Sequence, residues 1–241
     1  LSNNQTFTLA IGAENDAPTI AAVNDLVINE DASDVRVDLT GITAGGDETQ
    51  PLRVTASSSN TALLSSPVVN YTSAETTGSL TFSTVADQHG VATVSVTVED
   101  GGLDGKLSTA TDNATTTTTF DVTVAPVNDK PTFDSVGDQS YDTNAGEQTV
   151  SLVGITAGPN EEQPLRVTAS SSNTDLLANP VVTYTSPQST GTLTFTPTTD
   201  TTGVSTITVS VEDGGNDGNL GTTGDNLITT ETFTVTVANL L

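Results

Sequence analysis

The sequence contains no cysteine and no tryptophan, and only five of its 241 residues are Lys or Arg. Without Cys there is neither a disulfide framework nor a Cys-based zinc or redox centre, so stability has to come from elsewhere. The five basic residues, Arg36, Arg53, Lys106, Lys130 and Arg166, stand against 30 acidic ones, for a formal net charge of −25. Such a surface repels nucleic acid and anionic lipid and attracts cations, so nucleic acid is not an expected partner. No apolar run approaches the roughly 18 residues needed to cross a bilayer, and no charged-then-apolar leader precedes Leu1, so membrane insertion is not expected either. The sequence starts at Leu1 without a Met, so the chain is expected to be a processed or excised piece of something longer.

Helical periodicity is also lacking, and alternation takes its place. Val94-Ser-Val96-Thr-Val98, Phe120-Asp-Val122-Thr-Val124, Ile207-Thr-Val209-Ser-Val211 and Phe233-Thr-Val235-Thr-Val237 put Val, Ile or Phe on one face and mainly Thr or Ser on the other. That is the pattern of half-buried strands in a sandwich of antiparallel sheets. The fold class is therefore all-β.

The chain repeats itself. Asn15-Asp16-Ala17-Pro18 returns as Asn128-Asp129-Lys130-Pro131, 113 positions later, and the register then holds without a gap. Ile42 falls on Ile155, Tyr71 on Tyr184, Phe82 on Phe195 and Phe120 on Phe233, while residues 50–61 are identical to residues 163–174. Seven strands are expected near 25–28, 35–40, 51–57, 67–72, 78–84, 91–99 and 117–124, with a second set displaced by the repeat length. Each repeat is large enough to bury its own core. The expected organisation is two tandem seven-stranded β-sandwiches, 13–127 and 128–241. They are preceded by residues 1–12, an orphan strand carrying Phe7, Leu9 and Ile11 that matches the last strand of a repeat otherwise missing. An unpaired strand of this kind docks on an upstream repeat, another subunit or a free sheet edge.

Carboxylates gather at the predicted turns and not along the outward strand positions. In a seven-strand sandwich, the loops after strands two and six lie at the end where the chain arrives, here the leading end. The loops after strands one and five lie at the trailing end, where it departs. Glu30, Asp31 and Asp87, at the trailing end of the first repeat, are thereby expected beside Asn128, Asp129, Glu161, Asp213, Asp217 and Asp225 at the leading end of the second. Asn15, Asp16, Asp100, Asp104 and Asp112 form the matching half at the leading end of the first. Two unit charges about 4 Å apart cost roughly 1 kcal/mol in water and about 4 kcal/mol at an effective dielectric of 20, so such a seam needs a cation or raised pKa values. Calcium, which takes six to eight oxygen ligands in irregular geometry, fits better than octahedral magnesium or His- and Cys-seeking zinc.

Three motifs carry a family resemblance: Ile28-Asn-Glu-Asp-Ala32, the Val-Asn-Asp-Lys-Pro linker at 127–131, and Val-Glu-Asp-Gly-Gly at 98–102 and 211–215. With them the chain resembles the cadherin-like, immunoglobulin-fold tandem repeats of very large secreted bacterial adhesins and related surface proteins. The resemblance implies calcium at the seams between repeats, with Glu30 as the strand glutamate and Asn128 and Asp129 as linker ligands. The second repeat has Thr143 in place of Glu30 and no linker after Ala238, so the resemblance implies no full seam beyond it.

Asp25, Asp34, Glu75 and Asp175 are expected to be solvated turn residues. The single histidine, His89, has no Cys partner and corresponds to Thr202, which makes it a surface turn residue and not a catalytic base. Paired carboxylates could serve glycoside hydrolysis, but no aromatic platform accompanies them, and Tyr71, Phe82 and Phe120 run in phase with the core. The same lack of exposed aromatics argues against a carbohydrate-binding tip. The expected function is thus non-enzymatic: an extracellular, cell-surface extender whose partners are neighbouring repeats or identical subunits, head to tail. The alternative is a filament subunit that donates its N-terminal strand to a neighbour.

Overall fold

A computed structural model describes residue 8 and residues 12–239, and the chain divides into two compact units between Pro126 and Val127. Phe7, Leu9 and Ile11 lie outside the described residues, as does the expected pairing of residues 1–12. Each unit is taken by itself.

The first unit has seven strands: β1 Leu26–Asn29, β2 Val35–Thr40, β3 Leu52–Ser58, β4 Val68–Asn70, β5 Thr77–Phe82, β6 Gly90–Asp100 and β7 Thr115–Ala125. The second has β8 Gln139–Asp142, β9 Gln148–Leu152, β10 Leu165–Ser171, β11 Val181–Thr183, β12 Gly191–Phe195, β13 Gly203–Asp213 and β14 Ile228–Ala238. No helix occurs among the described residues. In the first unit a four-stranded sheet ordered β1-β7-β6-β3 stands with a three-stranded sheet ordered β2-β5-β4, and the second unit has the equivalent pair, β8-β14-β13-β10 and β9-β12-β11. The protein is all-β, two tandem seven-stranded immunoglobulin-like sandwiches.

The sheets are not purely antiparallel, which corrects the sequence-based expectation. β1 pairs with β7 in parallel, Leu26 opposite Val122, and β8 with β14 likewise, Gln139 opposite Val235. The first and last strands of a sandwich both run from the leading to the trailing end, so they must be parallel wherever they meet. A second correction concerns the fourth strand, expected over 67–72. It stops at Asn70, ahead of a turn over 72–75 that Glu75 N closes by donating to Thr72 O at 3.1 Å, with the Tyr71 hydroxyl donating to Glu75 O at 3.0 Å.

Strict alternation fixes which side chains enter the core. Along β6, Ala92, Val94, Val96 and Val98 are buried while Val91, Thr93, Ser95 and Thr97 are not, and β13 repeats the pattern with Ile207, Val209 and Val211 inside. Leu39, Ile42, Leu64 and Leu80 complete the first core, and Leu152, Ile155, Leu177 and Leu193 the second. Removing such a side chain from water stabilises the fold by about 1.5–3 kcal/mol. This burial takes the place of the missing disulfides. The same alternation has a further consequence. Asp100 and Asp213 end β6 and β13 in the inward phase, and both are fully buried.

Candidate functional site

An inward carboxylate at the end of a core strand is costly unless its oxygens are bonded. In the second unit Asp213 Oδ1 accepts from Asn128 Nδ2 at 3.1 Å, Gly215 N at 2.9 Å and Leu227 N at 2.9 Å. In the first, Asp100 Oδ1 accepts from Asn15 Nδ2 at 3.1 Å and from Gly102 N and Ala114 N, both at 2.9 Å. All this donation falls on one oxygen. Asp100 Oδ2 and Asp213 Oδ2 are buried and make no hydrogen bond.

A chain of side chains runs outward from each aspartate. Gln163 Nε2 donates to Asn128 Oδ1 at 2.5 Å, and Gln50 Nε2 donates to Asn15 Oδ1 at 2.7 Å and to Glu48 Oε2 at 3.0 Å. The linker backbone closes the set: Asp129 N donates to Glu161 Oε1 and Asp16 N to Glu48 Oε2, each at 3.1 Å. Each leading end therefore carries the same sequence of contacts, glutamate, glutamine, linker asparagine, buried aspartate. The repeats differ at the glutamate, since Glu161 Oε2 is buried without a partner whereas Glu48 Oε2 takes two donors. Burial pushes the Glu161 carboxyl up, and the nearby Asp129 and Asp213 charges add to the rise, against hydrogen bonds from Asp129 N and Gln163 that lower it.

The unsatisfied groups share one chemical character. Besides the two aspartate oxygens and Glu161 Oε2, the buried side-chain atoms without hydrogen bonds are Gln50 Oε1, Gln163 Oε1, Asn113 Oδ1, Asn226 Oδ1 and Tyr184 Oη. Apart from the tyrosine hydroxyl, every one is an acceptor-only oxygen. Among the described residues, no three His, Cys, Asp or Glu side chains stand together as a metal-holding group. What gathers at each leading end is one buried carboxylate with amide oxygens and, in the second unit, a desolvated glutamate. A hard, oxygen-seeking cation fits that donor set, because it needs acceptors only.

The loop after the sixth strand uses its carboxylates differently. Asp217 Oδ1 accepts from Asn219 N at 2.8 Å and its Oδ2 from Thr222 Oγ1 at 2.6 Å, while Asp225 Oδ2 accepts from Asp217 N at 3.3 Å. Asp104 and Asp112 repeat this, with Lys106 N and Thr109 Oγ1 as donors to Asp104 and Asp104 N as donor to Asp112 Oδ2. These four side chains brace the loop. The two linker asparagines also reach its backbone, Asn128 Nδ2 bonding Asp225 O at 2.9 Å and Asn15 Nδ2 bonding Asp112 O at 3.1 Å.

At the trailing end of the first unit, Asp87 N donates to Asp31 Oδ1 at 3.1 Å, and His89 Nδ1 lies 4.0 Å from Glu30 Oε2. Asp31 and Asp87 adopt left-handed backbone conformations, φ 60° and 55°, and Glu30 is buried. The second unit replaces this arrangement with a reciprocal amide lock. Asn144 Nδ2 donates to Asp200 Oδ1 at 3.1 Å and Asp200 N to Asn144 Oδ1 at 2.8 Å, beside Thr143 Oγ1 bonded to Thr201 O.

Sequence reasoning placed Asp100 and Asp213 at turns, and the structure corrects this: they are buried strand-terminal residues. Gln50, Gln163 and the turn carboxylate Glu48 join the site although the sequence-based ligand set lacks them. The signal that could have found the glutamines is the identical stretch shared by the repeats, which begins with them.

No protein-family model matches the chain, and no curated protein matches it. Solved structures with a similar chain path include human CDH23 EC21-23 (TM-score 0.48, 13% identity, covering 90% of this chain and 72% of that one). Mouse cadherin-23 EC22-24 follows (TM-score 0.47, 16% identity, 93% of this chain and 65% of that one), as do titin domains z1z2 in complex with telethonin (0.37, 15%, 95% and 100%).

Proposed function

We propose that this chain is part of an extracellular structural extender of the adhesin type, non-enzymatic, in which calcium stiffens the junction between consecutive repeats. The observation that carries this reading is the buried, unpartnered Asp213 Oδ2, accompanied by Gln163 Oε1 and Glu161 Oε2. Asp213, Glu161 and Gln163, with the linker pair Asn128 and Asp129, would hold the ion from the second repeat. Glu30, Asp31 and Asp87 are the trailing-end carboxylates proposed to complete the seam, and Asn15, Asp16 and Asp100 would serve an upstream seam. Asp104, Asp112, Asp217 and Asp225 support these sites by bracing the loop whose backbone Asn15 and Asn128 bond. Calcium would supply positive charge to oxygens that otherwise go unsatisfied.

Extracellular modules bind calcium at about 0.1–1 mM, a range that keeps such seams open in a low-calcium cytosol and closed after secretion. At ten times the dissociation constant, each site stabilises the folded state by about 1.4 kcal/mol. For a domain of this size that raises Tm by about 5–10 °C. The test is a chelator titration followed by calorimetry and small-angle scattering. A Tm and a maximum dimension that both ignore calcium would overturn the proposal. The filament alternative rests on Phe7, Leu9 and Ile11 in the sequence alone, and deletion of residues 1–12 tests it, because two folded domains that no longer polymerise are its expected product.

A further inference from the structure

Residues 50–61 and 163–174 are identical, although the exposed faces of other strands have drifted apart, with Arg36 falling on Thr149, Asp38 on Ser151, Thr115 on Ile228 and Asp121 on Thr234. Core packing accounts for Leu52, Val54 and Leu165, Val167, and the leading-end network accounts for Gln50 and Gln163. Local bonds account for Arg53, paired with Glu99, for Ser59, whose Oγ accepts from Thr93 N at 2.9 Å, and for Asn60, whose Oδ1 accepts from Ala62 N at 3.1 Å. None of these accounts for Thr55, Ser57 and Thr61, which are exposed, as are their counterparts Thr168, Ser170 and Thr174.

These residues lie on β3 and β10 and the turns that follow. Each is an outer strand of its four-stranded sheet, and at seven residues they are the longest edge strands of the two units. The register shows which backbone groups face outward. Ser59 N bonds Thr93 O at 2.9 Å, so odd-numbered residues of β3 bond β6, and Leu52 N turns away to Ser73 Oγ at 2.9 Å. The N–H groups of Val54 and Ala56 point away as well and find no acceptor among the described residues. In the second unit Leu165 N is capped by Ser186 Oγ and Ser171 N by Asn179 Oδ1, each at 2.9 Å, leaving Val167 and Ala169 in the same position.

Edges this long are normally blunted by charge, proline or a bulge. Here Pro51 and Pro164 precede the strands, and the one charge on each, Arg53 or Arg166, is paired with Glu99 or Glu212 on the neighbouring strand. No carboxylate occurs in residues 50–61 or 163–174. In a chain of net charge −25 these are neutral strips, places where a second copy of the same chain meets little repulsion. Their Thr and Ser hydroxyls both donate and accept, so the strips are self-complementary.

We propose that the β3 and β10 edges are lateral docking sites for a second copy of this chain, joined edge to edge by antiparallel strand pairing. Because both repeats carry the same edge, either can pair with either, which associates chains side by side. This contact is independent of calcium and of residues 1–12, and it strengthens with ionic strength as repulsion between the acidic copies is screened.

The experiment is sedimentation velocity on the full chain over a concentration series reaching about 1 mM, the weak end of specific association. It is run at low and high salt, with calcium and with chelator, and repeated after deletion of residues 1–12. Two double variants accompany it: Ala56→Pro with Ala169→Pro, which removes outward N–H donors without breaking a ladder bond, and Thr55→Lys with Thr168→Lys, which charges the strip. Concentration-dependent association is expected that survives chelator and the deletion, grows with salt and weakens at least about tenfold in both variants, with circular dichroism and Tm of the lysine variant unchanged. A chain that stays monomeric throughout overturns the proposal. So does association that the lysine variant leaves intact, or that disappears with chelator or with residues 1–12.

Discussion

The Asn128 side-chain amide donates to Asp213 Oδ1 at 3.1 Å across 85 positions of sequence, tying the linker to the last residue of β13 and leaving Asp213 Oδ2 buried without a partner. Asn15 and Asp100 make the same contact at the same distance in the first repeat. If the orphaned oxygen is there for a cation, Asp213→Asn should abolish the calcium-dependent rise of the second repeat's thermal transition. The neutral amide keeps the Oδ1 bonds, so stability in chelator should be unchanged or higher. Calorimetry in calcium and in chelator reads both, with Asp100→Asn as the companion for the first repeat. A full calcium response in both variants would remove the basis for the metal site.

Glu161 makes a prediction of opposite sign with and without metal. Its carboxyl is raised, by burial first and by the Asp129 and Asp213 charges after that. A raised carboxylate binds its proton more tightly folded than unfolded, so its contribution to stability falls as pH climbs from the unfolded value near 4.3 through the folded one. In chelator, Glu161→Gln should therefore match the wild type in acid and exceed its Tm at neutral pH. In calcium the order should invert, because the variant has lost an anionic ligand. Melting curves across this pH range check it, and a variant less stable at neutral pH in chelator would contradict the desolvation argument.

Much of the fold was legible because alternation is a strong signal and here it is nearly unbroken, as along Val94, Val96 and Val98. The repeat then checked every strand twice. The parallel pairing of β1 with β7 was not legible, since nothing local to Leu26–Asn29 states which neighbour it takes. At the site, the linker motif and its asparagine were visible as sequence. The burial of Asp100 was visible too, had the phase of β6 been followed two residues past Val98. The role of Gln50 was not, because it arises from a contact 35 positions away that spacing does not encode. The loop carboxylates of Asp104 and Asp217 show the converse: their acidic character suggested ligands, whereas their oxygens accept from loop donors.

Gly215 separates support from ligation. Its φ is 60°, and a Cβ there would stand 2.6 Å from the Asp225 side chain, a clash as well as a strained conformation. Gly215 N also donates to Asp213 Oδ1. Gly215→Ala should cost about 1–3 kcal/mol of stability and weaken calcium binding although no proposed ligand is altered. Gly218→Ala, with φ 65° but only the Pro164 ring near at 3.9 Å, should carry the backbone strain and leave calcium binding close to wild type. Isothermal titration on both variants distinguishes the two effects, and equal losses of affinity would show that the Asp225 contact does not matter.

Asp138 predicts an acid limb that owes nothing to metal. Its Oδ1 accepts from Thr234 N at 2.7 Å just before β8 joins β14, and the backbone and side-chain hydrogen bonds from Thr234 hold its carboxyl below the ordinary aspartate value. A depressed carboxylate binds its proton more weakly folded than unfolded. Its stabilisation is therefore complete above the unfolded value near 3.9 and disappears as pH falls through the folded one. Asp138→Asn keeps an acceptor for Thr234 N but no charge, so wild type should be the more stable protein at neutral pH and the gap should close in acid. Chelator should leave the gap unchanged. A gap that instead widens as pH falls would mean that the Asp138 charge opposes the pairing of β8 with β14.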